Sequence, residues 1–143
     1  MPNLHIGIGN PFRRDDGVGP WLATRLAQAG LNAITHEGDG TRLIDLFADH
    51  PNIVILDASR SGAAPGKLTE FNAIAAPVPA EFFHYSTHRF GVAEAVETAR
   101  ALGGLPDRLT LFAIEGREFS HGQGLSPPVA ATAERLLGRL LER

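Results

Sequence analysis

The feature that most constrains the fold is an unbroken apolar run in the middle of the chain, Ile53 to Leu56, which is closed by Asp57. Four apolar residues in succession leave neither face of a strand for water, so this strand is expected to be buried on both faces. A strand of that kind occupies the centre of a parallel sheet that helices cover on both sides. The run therefore predicts an α/β fold.

The rest of the chain alternates between strand-like and helix-like stretches, which supports the same architecture. Helices are indicated by apolar residues at intervals of three or four, by proline near their starts and by glycine after their ends. The predicted elements are, in order, a strand at 4–9, a helix from about Pro20 to Gly30, a strand at 31–35, a short helix capped by Thr41, the buried strand at 53–56, an edge strand at 67–71, a helix from Gly91, a strand at 109–114 and a last helix capped by Ser126. We therefore predict an open, mainly parallel sheet with helices on both sides, within one domain.

The composition excludes several classes of protein. The chain of 143 residues contains no cysteine, which rules out a disulfide scaffold, a thiolate metal site and a cysteine nucleophile. Its net charge is −3, and 12 of its 13 basic residues are arginines that are scattered along the chain, so no basic stripe suggests a nucleic-acid or membrane surface. The chain enters a strand at once and has no apolar stretch of membrane-spanning length. We expect a cytoplasmic protein without nucleic-acid or membrane partners, and its oligomeric state stays open, with a monomer as the simplest case.

Two loops are expected to carry the chemistry, because ligands of such sheets bind beyond the carboxyl ends of the strands, where the strand order reverses. In a flavodoxin-like order that point lies between the first and third strands, after Ile8 and after Leu56. Asp15 and Asp16 lie in the first loop, and Asp57 follows the third strand. Carboxylates that are gathered there repel each other unless they share a proton or a cation. The alternative is that Asp15 and Asp16 only stabilise a helix N-terminus and that Asp57 caps a loop.

One histidine, His88, is expected at the edge of the same crevice, because it stands just before the third helix. Histidine is the commonest metal-binding side chain, although a single histidine is more often a structural or surface residue. Two carboxylates and one imidazole suit nickel, zinc or iron better than calcium or magnesium. His84, four residues earlier, and the remaining histidines lack comparable support.

At this point the sequence resembles the hydrogenase maturation endopeptidases, from about Leu4 to the last helix. The resemblance lies in five stretches, which are Gly7-Ile8-Gly9-Asn10, Asp15-Asp16-Gly17-Val18-Gly19, Asp39-Gly40-Thr41, Asp57-Ala58 and Ser86-Thr87-His88-Arg89-Phe90-Gly91. It implies a single domain at 1–143 that folds as a three-layer sandwich, with a twisted, mainly parallel five-stranded sheet between helices on both faces. It also implies an endopeptidase that removes the C-terminal extension of the nickel–iron hydrogenase large-subunit precursor once nickel has been inserted.

The resemblance further implies which residues bind the metal and carry the activity. In the family these are an acid of the first loop, an aspartate after the third strand and a histidine before a later helix, which match Asp16, Asp57 and His88. The first acid is often glutamate in the family and is aspartate here, so the adjacent Asp15 stays a second candidate. Because this set leaves room for ligands from the substrate, we hypothesise that it engages nickel carried by the precursor and does not hold the ion permanently.

Two other functions fit the same predicted fold. A phosphoacceptor receiver domain also has an acidic pair after its first strand and an aspartate after its third, but its lysine near the last strand is missing, since the single lysine is Lys67. A non-catalytic binding module, such as a metallochaperone, would also use this architecture. A dinucleotide site is excluded, because Phe12 stands where the third glycine of that motif belongs.

Overall fold

A single sheet of five strands organises the computed structural model, which describes residues 3–83 and 90–142. The strands are β1 (Leu4–Ile8), β2 (Ala33–His36), β3 (Asn52–Ser59), β4 (Leu68–Asn72) and β5 (Arg108–Glu115). They lie in the order β2-β1-β3-β5-β4, and every pairing is parallel except the antiparallel one between β4 and β5. The predicted mainly parallel α/β sheet is therefore confirmed, and the weak strand expected at 67–71 is its antiparallel edge.

Helices cover both faces of the sheet. They are α1 (Val18–Gln28), α2 (Gly40–Asp49), α3 (Val92–Leu102) and α4 (Pro127–Leu141), and short 3-10 turns span Arg14–Gly17 and Ala80–Phe83. Apolar residues of α1 and α4 form one core with the sheet, whereas those of α2 and α3 form another core on the opposite face. The predicted three-layer sandwich is thus confirmed. No helix in the described part of the chain combines the length and apolarity that crossing a membrane requires.

The central strand β3 shows why its sequence is apolar without interruption. Ile53 and Ile55 are buried in the core beneath α2 and α3, while Val54 and Leu56 are buried in the core beneath α1 and α4. Successive side chains of a strand point to opposite faces, so a strand with helices on both sides needs apolar residues at every position.

Two local predictions were wrong, and a third was right about the capping position but not about the capping bond. The N-cap of α2 is Asp39, whose Oδ1 accepts hydrogen bonds from the backbone N–H of Thr41 at 3.0 Å and from its hydroxyl at 2.8 Å. Asp57 does not close β3, since the strand continues to Ser59 and its register pairs Asp57 with Ala113 of β5. Ser126 is the N-cap residue of α4, as predicted, but its side chain makes no capping bond, because its hydroxyl donates to Asp15.

Two glycines allow α1 to lie directly against the carboxyl ends of β1 and β3. A Cβ atom on Gly7 would lie 2.1 Å from the carbonyl oxygen of Gly19, and one on Gly19 would lie 2.5 Å from the carbonyl oxygen of Leu56. These distances are shorter than any allowed contact, so only glycine fits at either position. The close approach brings the 3-10 turn at 14–17 against β3, at the edge of the sheet where the functional residues were predicted.

Candidate functional site

The neighbouring carboxylates of Asp15 and Asp16 have opposite surroundings, although both are buried. Asp15 is 0% exposed and accepts four hydrogen bonds. Its donors are the backbone N–H groups of Arg117 at 2.8 Å, Glu118 at 2.9 Å and Ser126 at 2.7 Å, and the hydroxyl of Ser126 at 2.7 Å. Asp15 therefore ties the first loop to the 117–126 segment, and both of its oxygens are occupied.

One carboxylate oxygen of Asp16 accepts no hydrogen bond from the described residues. Its Oδ2 accepts a hydrogen bond from the backbone N–H of Asn10 at 2.9 Å, but its buried Oδ1 has no hydrogen-bond partner within the described ranges. Burial raises the pKa of Asp16, and the Asn10 N–H and the charge of Arg13 oppose that rise. A buried carboxylate oxygen without a donor is costly, and a cation that approached it would remove much of that cost.

Asp57 is the second predicted site residue that the structure describes. It is buried in the C-terminal half of β3, and its Oδ1 accepts the N–H of Ala58 at 2.8 Å. The turn that carries Asp16 packs against this same strand, and β1 and β3 are the neighbouring strands between which the strand order reverses.

The third predicted residue, His88, lies outside the described residues, as does His84. The described chain resumes at Phe90, whose carbonyl accepts the N–H of Gly40 at 2.8 Å. Among residues 3–83 and 90–142, no three histidine, aspartate or glutamate side chains are grouped as metal ligands. The set of Asp16, Asp57 and His88 extends beyond those ranges and stays a prediction.

Glu115 is a site residue that the sequence analysis missed. It ends β5 and is buried, and its carboxylate accepts hydrogen bonds from the hydroxyls of Ser59 (3.0 Å) and Ser61 (2.8 Å) and the N–H groups of Ser61 (2.9 Å) and Gly62 (3.1 Å). Glu115 thereby fixes the loop that follows β3. The signal was available, since an acid follows the apolar run at 109–114 much as Asp57 follows the run at 53–56.

A groove of about 990 Å³ opens beside the first loop. Its walls come from the solvent side of α1, the carboxyl end of β2, the start of α2 and the segment that leads into α4. Arg14 and Gly17, from the turn that carries Asp16, also line it, and its volume admits a ligand larger than an ion.

Comparison with known proteins identifies the family. A profile of the family described as "Hydrogenase maturation protease" matches residues 35–143. The chain is 29% identical over 148 aligned positions to the hydrogenase 2 maturation protease of Escherichia coli, and the match covers 99% of this chain and 89% of that protein. It is 27% identical to the hydrogenase expression/formation protein HupD of Rhodobacter capsulatus over 89% of this chain, but it spans only 63% of the length of that protein.

A solved structure agrees with these matches. The hydrogenase maturating endopeptidase HybD of E. coli superposes with a TM-score of 0.78 at 26% identity, over 99% of this chain and 91% of that chain. The fold predicted from the resemblance is confirmed, and so is the peptidase class, at the level of the family. Because the profile covers well over half of the sequence, the chain belongs to the hydrogenase maturation protease family.

Proposed function

We propose that this protein is the endopeptidase that removes the C-terminal extension of a nickel–iron hydrogenase large-subunit precursor after nickel insertion. In this proposal Asp16, Asp57 and His88 engage the nickel that the precursor carries, so the metal is part of the substrate. The family assignment supports the general reaction. The single observation that carries the rest is the buried Oδ1 of Asp16, which lacks a hydrogen-bond partner among the described residues.

The contrast within the acidic pair supports Asp16 over Asp15 as the first ligand. Both oxygens of Asp15 already accept hydrogen bonds, from three residues in all, whereas Asp16 has an oxygen that no described residue occupies. A metal ion at Asp16 would compensate a charge that burial disfavours, and nickel accepts both oxygen and imidazole ligands. A precursor without nickel supplies no such compensation, which gives a physical reason for discrimination between the two forms.

Nickel carried by the precursor would supply Lewis-acid chemistry, at the scissile carbonyl or at a water. Asp16 and Asp57 then have a positioning role, since they hold the metal-bearing part of the precursor at the crevice between β1 and β3. Both side chains sit on packed backbone, Asp57 within a central strand and Asp16 on a turn that Asp15 anchors. Rigid supports of this kind favour accurate placement of a substrate.

The deciding experiment incubates the protein with nickel-loaded and nickel-free precursor and follows the mass of the precursor over time. We expect cleavage of the loaded form alone, and a rate at least about 100-fold lower for Asp16→Asn, Asp57→Asn and His88→Ala. Asp45→Asn is the matched control, because Asp45 is exposed on α2 away from the crevice. Cleavage of both forms at equal rates, or of neither form, would contradict the proposal.

Two further results would assign one of the other functions. If Asp57→Ala left processing intact but lowered the nickel content of the precursor, the protein would be a metallochaperone. If a small phosphodonor gave stable phosphorylation at Asp57, it would be a phosphoacceptor domain, an outcome that membership of the protease family disfavours.

A further inference from the structure

The groove described above opens beside the turn that carries Asp16. Gly17, the last residue of that turn, and Gly9, the residue after β1, line the groove. A Cβ atom on Gly9 would lie 3.3 Å from Oδ1 of Asp16, the oxygen without a described partner. Gly9 therefore packs directly on Asp16, and the groove reaches the turn that carries this carboxylate.

Arg14, the first residue of the same turn, lines the groove in an unusual conformation. It is the only residue other than glycine within the described ranges that has a positive φ, at 47°. Its guanidinium lies over the backbone of Gly122, where a Cβ atom would approach Nη2 to 2.8 Å. Left-handed backbone at a bulky residue is unfavourable and persists where the surrounding structure enforces it, which is common at ligand sites.

Three arginines line the groove, and Arg14 is the one that has neither an acidic partner nor an aromatic ring beside it within the described ranges. Arg42 faces Asp39 at 4.0 Å, and the guanidinium of Arg25 stacks over the ring of Trp21 at 3.8 Å from its centroid. The exposed side chain of Arg14 makes no hydrogen bond or ion pair with any residue of 3–83 or 90–142. Its planar guanidinium is suited to a carboxylate, which it can bind through two parallel hydrogen bonds.

The groove also has an aromatic surface, which is the ring of Trp21. Trp21 projects from α1 and is half-buried, so one part of its ring stays available beside the stacked Arg25. An aromatic surface next to a cation suits a peptide that presents an apolar side chain and an acidic group in turn.

We propose that this groove binds the segment of the precursor that carries the C-terminal extension. A carboxylate of that segment, from an acidic side chain or from its terminus, pairs with Arg14, and an apolar side chain rests on Trp21. The inference rests on the proposed function, because it takes the precursor as the substrate. It adds a recognition site for the peptide, separate from the residues that engage nickel.

Binding can be measured without cleavage, because Trp21 is the only tryptophan of the chain. The full-length protein is titrated with a synthetic peptide that spans the extension of a candidate precursor, and Trp21 fluorescence is followed. Amidating the terminus of the peptide, or replacing its acidic side chains by amides, identifies the carboxylate. We expect a saturable signal and a loss of about tenfold in affinity when the relevant carboxylate is removed.

The variants test the role of Arg14 directly. Arg14→Ala is expected to lower the affinity for the peptide by about tenfold, and Arg14→Lys is expected to recover part of that affinity. Arg14→Gly removes the guanidinium together with the positive-φ strain, so a defect in this variant is not a folding defect. Arg108→Ala, at the opposite edge of the sheet, should bind like the wild type. Wild-type affinity in Arg14→Gly, or peptide binding by calorimetry without a Trp21 signal, would overturn the inference.

The precursor assay separates this inference from the proposed function. With nickel-loaded precursor, Arg14→Ala should raise KM by about tenfold and leave kcat within about twofold. If no precursor is cleaved but the peptide binds in an Arg14-dependent way, the result supports the groove as a peptide site and contradicts the proposed function. If the Arg14→Ala variant cleaves loaded precursor with an unchanged KM, the result contradicts the groove assignment and supports the proposed function.

Discussion

The carboxylate of Asp15 accepts hydrogen bonds from both the backbone N–H and the hydroxyl of Ser126, each at 2.7 Å, although the two residues are 111 positions apart in the sequence. Asn at position 15 keeps one acceptor oxygen and turns an amide toward backbone N–H groups that need acceptors. We expect Asp15→Asn to lower the free energy of unfolding by about 3 kcal/mol, measured by urea denaturation. The exposed Asp45→Asn should change it by less than about 0.5 kcal/mol. A similar small effect at Asp15 would show that these bonds are not structural.

Substitutions of Asp15 and Asp16 should also differ in their effect on the cleavage rate. At a temperature where Asp15→Asn is folded, we expect its cleavage of nickel-loaded precursor to fall less than about tenfold, since it loses an anchor and not a ligand. Asp16→Asn should fall at least about 100-fold under the same conditions. Equal losses in the two variants, with circular dichroism confirming that both are folded, would leave the first ligand unassigned between them.

Asp16 should weaken the fold in its ionised form. Because burial raises the pKa of Asp16, the folded protein binds this proton more tightly than the unfolded chain does. The resulting stability is present at acidic pH and is lost as the pH rises through the raised pKa. We expect Asp16→Asn to be more stable than the wild type by about 1 kcal/mol at neutral pH, and the difference to shrink toward a pH of about 4. Urea denaturation across this range measures it, and a difference independent of pH would contradict the role of ionisation.

Glu115 should control the order of the loop after β3. Glu115→Gln leaves one acceptor oxygen for the hydrogen bonds that now come from Ser59, Ser61 and Gly62. We expect the amides of Ser61 and Gly62 to exchange hydrogen at least about tenfold faster in this variant. Glu142→Gln, an exposed change at the end of α4, is the control. Unchanged exchange at both amides would mean that other contacts hold the loop.

Two helical glycines should respond to alanine in opposite ways. In α4, a Cβ atom on Gly138 meets nothing within 4 Å, so Gly138→Ala should stabilise the protein by about 1 kcal/mol through helix propensity. In α1, a Cβ atom on Gly19 would lie 2.4 Å from the carbonyl oxygen of Ile8, so Gly19→Ala should cost about 3 kcal/mol or more. Thermal unfolding of both variants measures this. A gain at Gly19 would show that α1 can move away from β1 and β3 at little cost.

Much of the fold followed from sequence because its signals are local and periodic. The apolar run at 53–56 required helices on both sides, and the structure has them. The cap of α2 was missed because Asp39 and Thr41 are both good capping residues. A distant contact selects Asp39: the N–H of Gly40 donates to the carbonyl of Phe90 at 2.8 Å, which fixes Gly40 at the start of the helix.

The candidate site was predictable only in part. Topology predicted that Asp16 and Asp57 lie close together, and the structure shows that the turn carrying Asp16 contacts β3, the strand that carries Asp57. The sequence could not separate Asp15 from Asp16, because adjacent acids look alike until their partners are known. Those partners are more than 100 positions away in the sequence, at 117, 118 and 126. The role of His88 stays a prediction, since that residue lies outside the described ranges.

The long link from Asp15 to Ser126 has a consequence for how the protein is made. A ribosome adds about 5–20 residues per second, so the first loop exists for on the order of ten seconds before its anchor is synthesised. During that interval the turn that bears Asp16 lacks the bonds that fix it, and the groove lacks the wall that leads into α4. The turn that bears Asp16 and this wall of the groove are therefore completed only after the 117–126 segment has been synthesised.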